Sequence, residues 1–232
     1  MNMKKYYSWM AGMLFLAAMA VSAQLSAQDA TQEPPDVLVK RVSQEIIDLA
    51  TSDKDIQAGN RKRILEVVNQ KILPHADFQR ATALAVGRHW RTATPEQKTR
   101  LIKEFRDLLM YTYAGAMSQI KKGYPLEFLP LRAEPDATDV EVRFQVRRRE
   151  RSAEPIRVSY RMAKTPEGWK IYDVNVLGVW MSEAYRNTFS SEIARGGIDG
   201  LIQALEQKNR QLAAIGGPAV VKEGPLVPSV GS

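Results

Sequence analysis

No cysteine occurs anywhere in the 232 residues. That absence excludes a disulfide framework and a lipid-modified N-terminal cysteine. An exported protein without disulfides has to be held together by its core alone, so the folded part must be well packed. Histidine is almost as scarce. His75 and His89 are the only two, and they are 14 residues apart. No HExxH pattern and no clustered acids accompany them, so the residues supply no recognisable metal site and both read as partly exposed structural histidines. The chain also lacks GxSxG, the phosphate loop GxxxxGK[ST], and a GxGxxG that follows a strand. The motif-borne hydrolase, nucleotide-binding and dinucleotide-binding classes are therefore without support.

A hydrophobic run long enough to span a membrane is missing too, although the start of the chain comes near. Lys4 and Lys5 form a short positive head. Trp9 to Val21 carries no charge and has Leu14, Phe15 and Leu16 at its centre; those 13 residues fall short of the roughly 20 that a span needs. Val21-Ser22-Ala23 then offers small residues where a signal peptidase reads. Residues 1–23 are read as a secretory signal cleaved after Ala23, with a weaker site after Ala27 because Leu25 is large; the competing reading is an uncleaved anchor. Loss of the signal lowers the formal charge from +7 to +5.

The charge is unevenly spread. Arg143, Arg147, Arg148, Arg149, Arg151, Arg157, Arg161 and Lys164 face only Glu150 and Glu154 within residues 143–164, a net +6 that leaves the rest of the mature chain near neutral. A local basic patch points to an anionic partner. Export argues against nucleic acid and leaves membrane head groups, an acidic protein face or a lipid phosphate. The patch reads first as a solvated strand face and second as a docking surface for acidic protein or phosphate.

Periodicity supplies the elements. Residues 24–36, with Pro34 and Pro35, read as a flexible lead-in. Apolar residues recur at helical spacing from Asp36 to about Thr51 and from Asn60 to Leu73, where Pro74 stops the pattern; a third helix is expected from Ala76 to Val86. Thr94-Pro95-Glu96-Gln97 combines a hydroxyl N-cap, a proline start and a glutamine three residues on, opening a long helix to about Ile120. Leu101, Phe105, Leu108, Thr112 and Ala116 form one stripe along it, and Leu109, Tyr113 and Met117 a second. The half from Leu108 to Ile120 is apolar on nearly every side, which predicts burial all round.

Beyond Pro125 the period changes to two. Leu126–Leu131, Val140–Val146, Arg157–Met162 and Trp169–Val176 are expected as four strands with one apolar and one wet face, the wet face bearing the arginines. Helices from Ser182 to Ala194 and from Ile198 to Leu212 follow, divided at Gly196-Gly197. The tail 213–232, rich in glycine and proline, is expected to be disordered. The fold class is thus α+β over residues 37–212: N-terminal helices and a long central helix packed on a four-stranded antiparallel sheet, with C-terminal helices. Asp173, the one acid inside an apolar strand, reads either as a buried base or as a structural aspartate with a hydrogen-bond partner.

Several segments resemble one family. They are Val86-Gly87-Arg88-His89-Trp90-Arg91-Thr92-Ala93-Thr94-Pro95-Glu96-Gln97 with Phe105, Leu108, Leu109, Thr112 and Tyr113; Trp169-Lys170-Ile171-Tyr172-Asp173-Val174; Gly178-Val179; Tyr185-Arg186; Phe189; and Gly197-Ile198-Asp199-Gly200-Leu201-Ile202. In order, over roughly residues 37–212, they resemble the MlaC, or toluene-tolerance, family. The resemblance implies a periplasmic phospholipid carrier with an NTF2-like curved sheet enclosing a lipid cavity. It further implies a shuttle between an outer-membrane lipoprotein complex and an inner-membrane ABC transporter with an MCE-domain protein, maintaining outer-membrane lipid asymmetry without a cofactor; an exposed tail and a near-neutral helical half make a monomer the expected state. One departure stands out. Where the family reads Val-Glu-Gly-Val-Ser, this chain has Val176-Leu177-Gly178-Val179-Trp180. That leaves open a different pocket mouth, different partner contacts, and a sterol-like or hopanoid ligand.

The residues themselves agree with a carrier, which needs apolar wall in excess of its own core. Two acyl chains with roughly thirty methylenes would cost about 25 kcal/mol in water. The expected lining is Leu109, Tyr113 and Met117 from the long helix, with Val142, Phe144, Val158, Tyr160, Val174 and Val176 from the sheet; each could equally fill an ordinary core. Trp90 and Trp180 are expected at the rim. Arg143, Arg147, Arg157 and Arg161, on the opposite sheet face, are assigned to partner or membrane contact. The rival readings are an NTF2-like enzyme with Asp173 as base, and an interaction protein with a filled core.

Overall fold

The computed structural model describes residues 32–120, 125–147 and 154–214. The expected signal 1–23, most of the lead-in, the arginine-rich turn 148–153, Gly123 and the tail from residue 215 lie outside the described residues. The chain divides at Pro34/Pro35 into two units, and the elements that follow belong to the second.

Helix α1 (Pro35–Ser52) starts on a proline with Asp36 in its first turn, where the helix dipole favours an acid. The short helix α2 (Lys54–Gln57) was not expected; the Asp53 carboxylate caps it by accepting from the Asp55 and Ile56 amides. Asn60 caps α3 (Arg61–Val67) through the Arg63 amide. The α geometry ends six residues before the Leu73 expected from the sequence. Pro74 cannot continue it, and the backbone passes through a π turn, Val68–Ile72, into a 3₁₀ turn, Leu73–His75. Helix α4 (Phe78–Val86) begins two residues later than expected because Asp77 takes the cap position and accepts from Arg80 N–H at 2.9 Å. A 3₁₀ turn, Gly87–Arg91, follows.

Helix α5 (Pro95–Tyr113) carries the expected capping box, with both reciprocal hydrogen bonds of Thr94 and Gln97 present. Its last stretch, Ala114–Gln119, winds as 3₁₀ instead of continuing as α. The tighter winding turns each residue by about 120° in place of about 100°. Ala116 therefore leaves the buried stripe and is exposed.

The sheet is antiparallel throughout, in the order β1 (Leu126–Phe128), β2 (Asp139–Val146), β3 (Ile156–Thr165), β4 (Gly168–Val176) and β5 (Val179–Trp180). It has five strands, not the four expected; two residues of β5 are too few to show alternation. The β4–β5 connection is a two-residue turn in which Leu177 (φ 54°) and Gly178 (φ 93°) both have positive φ, as a primed hairpin turn demands. In β4 the register shifts: Arg161 pairs with Asp173 and Met162 with Ile171, leaving Tyr172 as the extra residue of a bulge. Such a bulge bends its strand and increases its twist. It also lets Tyr172 join the wet face, where its hydroxyl donates to Asp139 at 2.7 Å and the Arg80 guanidinium lies 3.6 Å from its ring centre. Burial, then the Asp139 hydrogen bond, pushes the Tyr172 hydroxyl up to about 12.

Helix α6 (Met181–Ala214) is two helices joined at a break, with Gly197 at φ 68°. That position needs a residue without a side chain.

The buried apolar residues form three clusters among the described residues. Helices α4, α5 and α6 pack one around Phe105, Tyr185, Phe189, Leu201 and Leu205. Helix α1 lays Leu38 and Val39 on the apolar sheet face against Val140, Val142, Phe144, Met162 and Trp169. The third joins Ala50, Ile56, Ile64 and Val67 to Ala114 and Met117 at the end of α5.

Candidate functional site

The expectation that α5 is buried all round from Leu108 onward is corrected by its second face. Leu101, Phe105, Leu108 and Thr112 are sealed in the helical core, but Leu109, Met110, Tyr111 and Tyr113 are only half-buried. The apolar sheet face behaves alike. Its register places Val142 beside Tyr160 and Tyr160 beside Val174, with Phe144, Val158 and Val176 in the next row. Val142 and Phe144 are sealed under α1, whereas Val158, Tyr160, Val174 and Val176 keep accessible surface. Met117 is buried in the third cluster.

Tyr160 makes the geometry legible. Desolvation by surrounding protein pushes its hydroxyl up to about 12, yet the residue is only half-buried. Tyr113 on α5 is similar: burial raises its hydroxyl, which lies 3.7 Å from the Met181 sulfur. The half-buried fringes of the clusters thus include Leu109, Tyr111 and Met181, Val146, Val158 and Tyr160, and Met110 and Ile120. Met110, Ile120, Val146 and Met181 were not singled out from the sequence. Val146 continues the strand alternation and Met110 adjoins the second stripe, so both had a signal; Met181 had none.

Both tryptophans expected at the rim lie beside a cation. Trp180 pairs with Asn175 and lies under the Arg161 guanidinium, 3.7 Å from its ring centre, on the wet face and away from Tyr160. Period-two alternation had not reached a strand of two residues. Trp90 packs on the helical core with the Lys98 ammonium 5.5 Å from its ring centre. Lys98 is eleven residues before Leu109, about 16 Å along the helix axis.

Asp173 has a structural job. It is 4% exposed, and it accepts from Ser182 Oγ at 2.6 Å and from Ser182 N–H at 3.0 Å, at the first turn of α6. Arg161 stands 3.5 Å away. The acid thus caps a helix from a neighbouring strand, with the favourable sign for the dipole. Of the assigned arginines, Arg147 pairs with Glu127. Arg143 is half-buried and Arg157 exposed, and neither has an ion pair among the described residues. The same face holds a polar groove of about 430 Å³ between Arg132, Glu134, Asp139, Glu141, Arg161 and Tyr172. No group of three or more metal-ligating side chains occurs among the described residues, and no described helix is long and apolar enough to cross a membrane.

Accessible apolar side chains on one face of a sheet and on one side of a long helix suit a hydrophobic ligand more readily than bond-making chemistry. The family model described as MlaC protein matches residues 40–207, and the chain belongs to that family. The intermembrane phospholipid transport system binding protein MlaC of Haemophilus influenzae is 23% identical over 223 residues, covering 91% of this chain and 97% of that one. The toluene tolerance protein ttg2D of Pseudomonas putida is 25% identical over 172 residues, covering 73% and 77%. Among solved structures, the phospholipid-binding protein of Ralstonia solanacearum, in complex with a phospholipid at 1.53 Å, is 41% identical. It superposes with a TM-score of 0.71 over 78% of this chain and 99% of that one.

Proposed function

We propose that the protein is a phospholipid carrier, exported to the periplasm, that holds acyl chains between α5 and the apolar face of the sheet. The observation that carries this reading is the set of half-buried apolar side chains, Leu109 and Tyr113 on the helix and Val158, Tyr160, Val174 and Val176 on the apolar face of the sheet. Each would bury further surface on taking up hydrocarbon, worth about 25 cal/mol per Å². The lipid-bound Ralstonia relative supports the same reading. In this role the chain's own residues exclude water from the tails, and nothing in the cycle calls for bond making. Asp173, committed to the α6 cap, is left as scaffold. The carrier would move lipid between two membranes, as the name of its intermembrane-transport relative suggests; a lipoprotein complex at the outer membrane and an MCE-domain ABC transporter at the inner membrane are the partners that the family resemblance implies.

The test is native mass spectrometry of the protein purified in the form the cell exports. Co-purified phospholipid is expected, and Leu109→Trp should expel it. A spectrum with no bound lipid, together with no extraction from vesicles, sinks the carrier. A hopanoid mass in its place would keep the carrier and change its cargo.

A further inference from the structure

The tip of the β4–β5 hairpin is built against its own stability. Leu177 sits at φ 54°, a conformation that a two-residue primed turn reserves for asparagine, aspartate or glycine. It is also 61% exposed, and Val179, just across the turn, is 50% exposed. A bulky aliphatic residue placed in a left-handed turn and aimed at solvent is strained without any packing in return. Two arginines stand on the neighbouring strands. Leu177 N–H donates to the Arg157 carbonyl at 3.0 Å, so Arg157 stands beside the tip, and Arg143 lies diagonally across on the next strand. Both guanidiniums are without an ion pair among the described residues.

We propose that this tip docks the protein on anionic bilayers, Leu177 and Val179 entering the boundary between head groups and acyl chains while Arg157 and Arg143 hold lipid phosphates. A protruding pair of aliphatic side chains offers much less than the roughly 800 Å² per partner of a specific protein interface. Insertion at a bilayer surface needs only an apolar tip with cations beside it. The purpose of this docking rests on the carrier reading, since a carrier has to meet a membrane; the surface itself does not.

The experiment is co-sedimentation of the exported form with vesicles of phosphatidylethanolamine and phosphatidylglycerol at low salt, compared with Leu177→Asn and Arg157→Gln. Leu177→Asn should weaken binding about tenfold while leaving Tm unchanged or higher, because asparagine relieves the turn. Arg157→Gln should weaken it about fivefold and flatten its salt dependence. Failure of the parent protein to sediment, or Leu177→Asn binding as well as the parent, overturns the proposal. So does equal loss of vesicle binding and of Tm. Native mass spectra separate the two claims. Lipid present in every variant, with vesicle binding indifferent to Leu177, sinks the docking and spares the carrier. Binding that depends on Leu177 in a protein that never holds lipid does the reverse.

Discussion

The helical core and the apolar face of the sheet are made of the same residue types and differ in how far they are closed. Around Phe105 the rings of Tyr185 and Phe189 stand edge-on at 5.1 and 5.2 Å, and all three are 1% exposed or less. Across the molecule Val158, Tyr160, Val174 and Val176 keep their register and their apolar character but not their burial. The difference teaches that apolar content and core are separate quantities. The first region is sealed; the second keeps accessible apolar surface.

Mutations in the two regions should therefore behave differently. Phe105→Ala should cost about 3–5 kcal/mol in denaturant melts, because the sealed core cannot collapse around the lost ring. Asp173→Ala should cost about 2–3 kcal/mol by stranding the buried Ser182 hydroxyl and amide, with lipid content unchanged; loss of a turnover would instead revive the enzyme reading. Thr94→Ala should cost about 1 kcal/mol through the lost N-cap. At the open wall, Leu109→Trp should change stability by less than about 1 kcal/mol, where a filled core would lose about 1–3 to overpacking. If Leu109→Trp proves as damaging as Phe105→Ala, the contrast between the regions collapses.

A titration separates the regions as well. Tyr160 is held at about 12 by desolvation, and an unfolded tyrosine ionises near pH 10. Below pH 10 both states keep the proton and the contribution is intact. Between pH 10 and 12 the unfolded chain releases a proton that the fold retains, so stability falls as pH rises. Tyr160→Phe should flatten that part of the Tm profile, and added phospholipid should push the Tyr160 titration higher still. Tyr172, raised to about 12 on the wet face of the sheet, should not respond to lipid.

Much of this architecture is written locally. The capping box of α5, the Gly196-Gly197 break and the alternation of β2 and β3 each depend on a few adjacent residues, and each is where the pattern puts it. The π turn before Pro74, helix α2 and strand β5 are short, and their form is decided by neighbours that no window of sequence contains. The site divides the same way. Alternation told which face of the sheet Tyr160 shares with Val174, but not that α1 would close over Val142 and Phe144 and leave the rest open. Asp173 stood out as an acid in an apolar strand; its partner, Ser182, is set by how the hairpin turns back.

The break at Gly196-Gly197 has a consequence for how the chain comes to be folded. An unbroken α6 of 34 residues would run about 51 Å, far beyond the core it serves. Bent at the glycines, its second half returns Leu201, Ile202, Leu205 and Leu212 to the cluster begun by Ala85 and Val86. The final helix is a clasp: without it Phe105, Tyr185 and Phe189 lose the side chains that complete their cluster.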